Sequence, residues 1–215
     1  MKETLEKIRK PKTLKGGTAV SGALIALLLG LGLGVFAKWL DIIGIDRIVT
    51  WKHLLEKLAF ARFFADIPVW LVFALALAVY SYKPWQAGLN VLAMGAGMCG
   101  SVYLNRILFP GASAPSVPMT TLYLVCAAAA VAALIVWYAK GKSIVSLILG
   151  ILIMALFWLL CFRIGLFYIK LNGILNILVF LGAVGVLWKD WKISLASVAG
   201  GLVVAGLVCN IWPLY

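Results

Sequence analysis

Carboxylates are scarce in this chain, and none lies in the middle of an apolar run. Asp and Glu together number seven in 215 residues, and Asp41, Asp66 and Asp190 stand at the edges of such runs. A carrier coupled to protons or sodium generally keeps a carboxylate near the membrane midplane, so the sequence argues against that class. Histidine is reduced to His53, and the four cysteines, Cys99, Cys126, Cys161 and Cys209, form no C-x-x-C pair. A metal centre needs clustered Cys and His, so no metal and no cofactor are expected, and the thiols read as small hydrophobes. There is also no G-x-S-x-G, H-E-x-x-H, Walker loop or aspartate pair, so no catalytic activity is expected.

Charge of any kind is sparse. Charged residues make up 12% of the chain and hydrophobic residues 65%, with a mean hydropathy of +1.10. A soluble domain carries about 25% charged residues, and no aqueous fold of this size hides so much apolar surface. Lipid must be the main solvent. The net charge of +12 arises from basic residues in the N-terminal segment and between apolar runs. That distribution suits a membrane surface and not nucleic acid.

Seven apolar runs are long enough to read as spans: Gly17–Leu40, Ile67–Tyr82, Gln86–Leu108, Thr120–Ala139, Ser143–Phe162, Leu171–Trp188 and Ile193–Trp212. The basic start and first run share features of a signal peptide, but the run exceeds a usual signal core, which favours a retained helix. The expected fold is an all-α, polytopic transmembrane helix bundle, with a lone first helix followed by three helical hairpins. Residues 1–16 form a basic tail and 17–215 one membrane domain. Residues 41–66 carry Trp51, Leu54, Leu55 and Leu58 on one helical face and Lys52, His53, Glu56 and Lys57 on another. This pattern fits a helix lying flat in the interface, or one packed on the protein's own rim. Asp66 is placed to cap the next helix, with Pro68 in its first turn.

Three turns look alike: "YSYKPWQAGLN", "WYAKGKSIVSL" and "VLWKDWKISLA", aligned on Lys83, Lys140 and Lys189. They fit either an internal triplication or the common need of membrane hairpins for aromatic and lysine anchors. With the N-terminus inside, inner segments hold eleven basic and three acidic residues, and outer segments eight and four. The positive-inside rule then predicts a cytoplasmic N-terminus in a multi-pass cell-membrane protein.

Candidate site residues follow from this topology. Arg163 and Lys170 fall about one membrane thickness from the inner turns, so they read as outer anchors snorkelling to the headgroups. The alternative is a cationic mouth with Arg106, attractive to an anionic substrate. Asn172 and Asn176 either hydrogen-bond between helices or line a ligand cavity. Asn90 is a further polar residue near an inner helix end. Small residues recur every fourth position at Gly22, Ala26, Gly30 and Gly34, at Ala93, Gly97 and Ser101, and at Ser197, Gly201 and Ala205. Such lines permit close helix approach. The first precedes the hairpins, so it offers a face to another membrane protein.

In length and in the small residues of its first helix the chain resembles the substrate-binding subunits of energy-coupling-factor vitamin transporters. The resemblance is one of layout. Those subunits have six spans where seven are read here, and no ligand motif carries over. It implies a solute- or lipid-binding membrane component of a transport system that acts with a partner. The alternative is a non-catalytic scaffold or assembly subunit that binds another membrane protein.

Overall fold

A computed structural model describes residues 8–11, 16–43, 63–64, 66–110, 117–141, 143–164, 169–171 and 173–211. Seven long helices run through them: α1 Gly16–Ile43, α2 Ile67–Tyr80, α3 Pro84–Leu108, α4 Met119–Val136, α5 Ile144–Cys161, α6 Ile174–Leu187 and α7 Trp191–Ile211. A 3-10 turn, Trp137–Lys140, tightens the end of α4. The chain is an all-α bundle of a multi-pass membrane protein. Helices α1, α3, α4 with its 3-10 turn, α5 and α7 are long and apolar enough to cross a membrane. Helices α2 and α6 have 14 residues each. That is a rise of about 21 Å against roughly 30 Å of hydrocarbon.

Local chemistry sets these limits. Asp66 occupies the N-cap of α2 in an extended conformation with proline in the first turn, as the sequence suggests, although its carboxylate does not make the capping hydrogen bond. Lys83 is held extended by the proline that follows it, and Pro84 opens α3. Ser143 caps α5, its side chain accepting from the Ser146 N–H.

Between α5 and α6 the sequence suggests a plain turn. The chain instead forms an antiparallel ribbon, β1 Phe162–Ile164 with β2 Ile169–Leu171. Arg163 stands opposite Lys170, flanked by Phe162 opposite Leu171 and Ile164 opposite Ile169. Backbone groups leaving a helix near lipid need partners, and the ribbon supplies them within itself. It also takes Leu171 from the expected span, so α6 begins only at Ile174. The amphipathic face around Trp51 lies outside the described residues, as does Asn172.

Successive helices are joined as hairpins, but the main packing runs across the hairpins. Helix α1 packs on α3, α3 on α4, and α5 on α7, while α2 sits against α3, α4 and α6. The small-residue lines choose these partners. A Cβ built on Gly30 would lie 2.0 Å from the Met94 carbonyl oxygen, and one on Gly97 would lie 2.1 Å from that of Leu27. Backbone meets backbone there, which only glycine permits. The line on α7 likewise faces α5 at Met154 and Ala155. One buried cluster joins α2, α5 and α6 through Val79, Met154, Phe157 and Ala183. A second joins α2, α3 and α4 through Ala78, Ala87, Val91, Ala133 and Trp137. Much of the rest of the surface is apolar, with Ile107, Leu124 and Ile144 over 70% exposed, as suits lipid contact.

Candidate functional site

A groove of about 430 Å³ opens where α1, α2 and α3 meet, at the membrane face that carries the N-terminal segment. Its walls are apolar: Ile25 from α1, and Ala76, Leu77 and Tyr80 from α2. Its floor is polar, with Ser21 from α1, Ser81 and Tyr82 from the turn, and Gln86 and Asn90 from α3. Gln86 and Asn90 are one helical turn apart and almost fully buried, at 2% and 6% exposure. Gly22 makes room for them, because a Cβ there would sit 3.3 Å from Gln86 Nε2 and 3.4 Å from Asn90 Oδ1.

The hydrogen bonds fix which way the Asn90 amide points. The Ser81 hydroxyl has one proton and donates it to the Leu77 carbonyl at 2.6 Å. Toward Asn90 it can therefore only accept, and Asn90 Nδ2 donates to it at 2.9 Å. Asn90 Oδ1 must then face the other way. It is buried and has no hydrogen-bond partner. Gln86 Oε1 is already engaged, accepting from the Tyr82 N–H at 3.2 Å. Trp137 locks the turn from behind, donating from Nε1 to the Ser81 carbonyl at 2.7 Å. The groove is thus a rigid polar floor with one acceptor left over. An unpaired buried acceptor costs about 1–3 kcal/mol.

No family model, curated protein or solved structure matches this chain.

The residues singled out from the sequence fall in several places. Gly22 borders the groove, and Gly30 and Gly34 face Met94 and Ser101 of α3. Ala26, on the same line, is fully buried. The face expected to meet a partner is therefore covered by the chain's own α3. Arg163 and Lys170 come together as opposed ribbon positions. Arg106 is exposed in the last turn of α3. The main neighbours of α3 are α1, α2 and α4, whereas the ribbon packs on α5, α6 and α7, so these contacts do not gather the three cations into one mouth. Asn176 is buried in the first turn of α6, toward the ribbon and away from the groove. Sequence reasoning passed over Ser81 and Gln86. The signal was the spacing of Gln86 and Asn90, one turn apart on a helix otherwise rich in Gly and Ala.

Proposed function

We propose that this protein is a non-catalytic, amphiphile-binding membrane component of a transport system, acting with a partner that supplies energy. A polar floor of Ser21, Ser81, Gln86 and Asn90 beneath apolar walls carries this reading. It asks for a ligand with a hydroxyl, amide or ammonium donor at one end and a hydrocarbon body beside Ile25, Ala76 and Leu77. A lipid or lipid-like solute has that form. Two of its wall residues, Ile25 and Tyr80, are more than half exposed, which supports entry from the bilayer. The lack of midplane carboxylates supports dependence on an external energy source. The lysines at 83, 140, 142, 189 and 192 support a cytoplasmic N-terminal face.

The test is mass spectrometry of molecules that co-purify with the chain in mild detergent, for the wild type and for Asn90→Leu. A defined amphiphile held by the wild type and lost from the variant is the expected result. Identical bulk lipid on both proteins sinks the reading. A stoichiometric membrane protein with no such amphiphile would favour the scaffold role instead.

A further inference from the structure

A second polar assembly lies behind the groove, on the far side of the Ser81 turn. Three cations from three separate segments converge on it. Arg9, from the N-terminal segment, donates to the Trp137 carbonyl at 2.6 Å and to the Val79 carbonyl at 2.8 Å. Its guanidinium carbon stacks 4.2 Å from the Trp137 ring centre. Lys140, at the end of α4, donates to the Val186 carbonyl at 3.0 Å and lies 4.2 Å from the Tyr80 ring centre. Lys189, in the turn after α6, donates to the Ser146 hydroxyl. Ser146 is fully buried, within 2.6 Å of the Ala139 and Gly141 carbonyls.

The carbonyls that receive Arg9 and Lys140, those of Val79, Trp137 and Val186, lie at the C-terminal ends of α2, α4 and α6. Each such end carries about half a negative charge, so the three offset about half of the cluster's charge. About one and a half positive charges remain. Among the described residues no carboxylate reaches Arg9, Lys140 or Lys189. The cations are also only partly solvated. Burial pushes the Lys189 ammonium below its ordinary range, with Lys140 and then Arg9 adding repulsion. Burial lowers the Arg9 guanidinium as well. Many donors are left over: Arg9 has used two of five N–H groups, and each lysine one of three.

We propose that Arg9, Lys140 and Lys189 form a binding site for a phosphate group at this membrane face, filled by an anionic phospholipid headgroup or by free phosphate. A phosphate carries one to two negative charges and several acceptor oxygens, which matches both the residual charge and the idle donors. Basic pockets between helix ends at a membrane surface meet such headgroups by position alone. The site is independent of the amphiphile groove. Tyr80 borders both, but none of the three cations lines the groove, and the test does not involve Asn90.

The experiment follows thermal unfolding of the full chain in a nonionic detergent at fixed ionic strength. Separate titrations add inorganic phosphate, dioctanoyl phosphatidic acid, and dioctanoylglycerol as the phosphate-free control. Phosphatidic acid should raise the unfolding temperature saturably, and dioctanoylglycerol should not. If inorganic phosphate acts too, the phosphate alone suffices. If only the lipid acts, the source is the bilayer. The double variant Lys140→Gln/Lys189→Gln should bind at least tenfold more weakly, while Lys10→Gln/Lys192→Gln, exposed on the same face, should match the wild type. A wild-type measurement stands beside the variants in case the first pair folds poorly. Phosphatidic acid should slow acetylation of Lys140 and Lys189 at least threefold and leave Lys10 and Lys192 unchanged. No saturable response to either phosphate compound overturns the proposal. So does equal protection of all four lysines, or undiminished binding by a folded Lys140→Gln/Lys189→Gln protein.

Discussion

Gly30 and Gly32 lie two residues apart on α1 and differ sharply in what surrounds them. A methyl group on Gly30 would meet Met94 backbone atoms at 2.0, 2.9 and 3.1 Å, whereas one on Gly32 would meet nothing within 4 Å. Replacing either by alanine brings the same gain in helix propensity, up to about 1 kcal/mol. That gain cancels when the two variants are compared, leaving the steric cost at Gly30. Relief requires α1 to move off α3 by roughly 1 Å, because backbone cannot rotate aside as a side chain does. Helix α3 is the main neighbour of α1. Gly97 presses on Leu27 from the other direction, so one displacement loosens both contacts. Overpacking of this kind costs about 1–3 kcal/mol, and the rigid obstacle points to the upper half of that range. Unfolding by SDS in mixed micelles, read by tryptophan fluorescence, should place Gly30→Ala well below Gly32→Ala in midpoint. Equal midpoints would mean that α1 does not pack on α3 through this line, and the account of the fold at that seam would fail.

Arg9→Gln releases the Val79 and Trp137 carbonyls from a charged donor and should lower stability by about 1.5–3 kcal/mol, seen as a reduced SDS midpoint. Arg163→Gln should leave that midpoint unchanged or slightly raised, since like charges directly opposite on a ribbon destabilise it; collapse of the variant would show a buried ion pair instead. The Cys99 and Cys126 thiols lie close to each other across α3 and α4. Copper-phenanthroline oxidation should therefore join them within one chain and block both from maleimide while sparing Cys161 and Cys209. Gly95→Ala should slow that reaction, because the added methyl would stand 2.7 Å from the Cys126 sulfur. Lys192→Cys is expected to resist labelling from outside intact cells, and ready labelling there would reverse the assigned orientation. Position 141 is a poor probe for that purpose, since Gly141 is covered by the Ile8 backbone.

Lipid as solvent made the spans legible. A helix exposed to hydrocarbon must be apolar over its whole length, so its extent is written as a run of residues. The start at Pro68 was legible for a similar reason, since a proline allows only a few backbone states, whereas α3 opens at Pro84, two residues ahead of the expected Gln86. What the runs do not encode is which helix each one meets. The line Gly22, Ala26, Gly30 and Gly34 announced a close neighbour, yet the same glycines suit α3 or another protein equally well. The ribbon was hidden because Phe162, Ile164, Ile169 and Leu171 are as apolar as the helices beside them. The groove was half visible. Asn90 stood out by type, but Ser81 sat in a turn and Gln86 in the first turn of α3, where polar residues had an adequate role as surface anchors. Lys140 and Lys189 were explained by charge bias, which gives the side of the membrane and says nothing of mutual distance. Arg9 belongs to a tail with no periodicity, so only three dimensions bring it to Trp137.

The unequal lengths of the helices shape the bilayer as well as the protein. Helices α1 and α6 lie at opposite ends of the contact series α1, α3, α2, α6. The membrane-spanning stretch of α1, Ala19–Ile42, has 24 residues and α6 has 14. At 1.5 Å per residue they are about 36 Å and about 21 Å tall. Lipid touches both, through Leu24 and Leu28 on one side and Leu178 and Leu181 on the other, each more than half exposed. No flat hydrocarbon slab matches both flanks at once. The protein must lean toward its short side, or the leaflets must taper around it, at a cost of fractions of a kcal/mol for each Å of mismatch. Acyl-chain length then becomes a control variable: thick bilayers strain the α6 flank and thin ones strain the α1 flank.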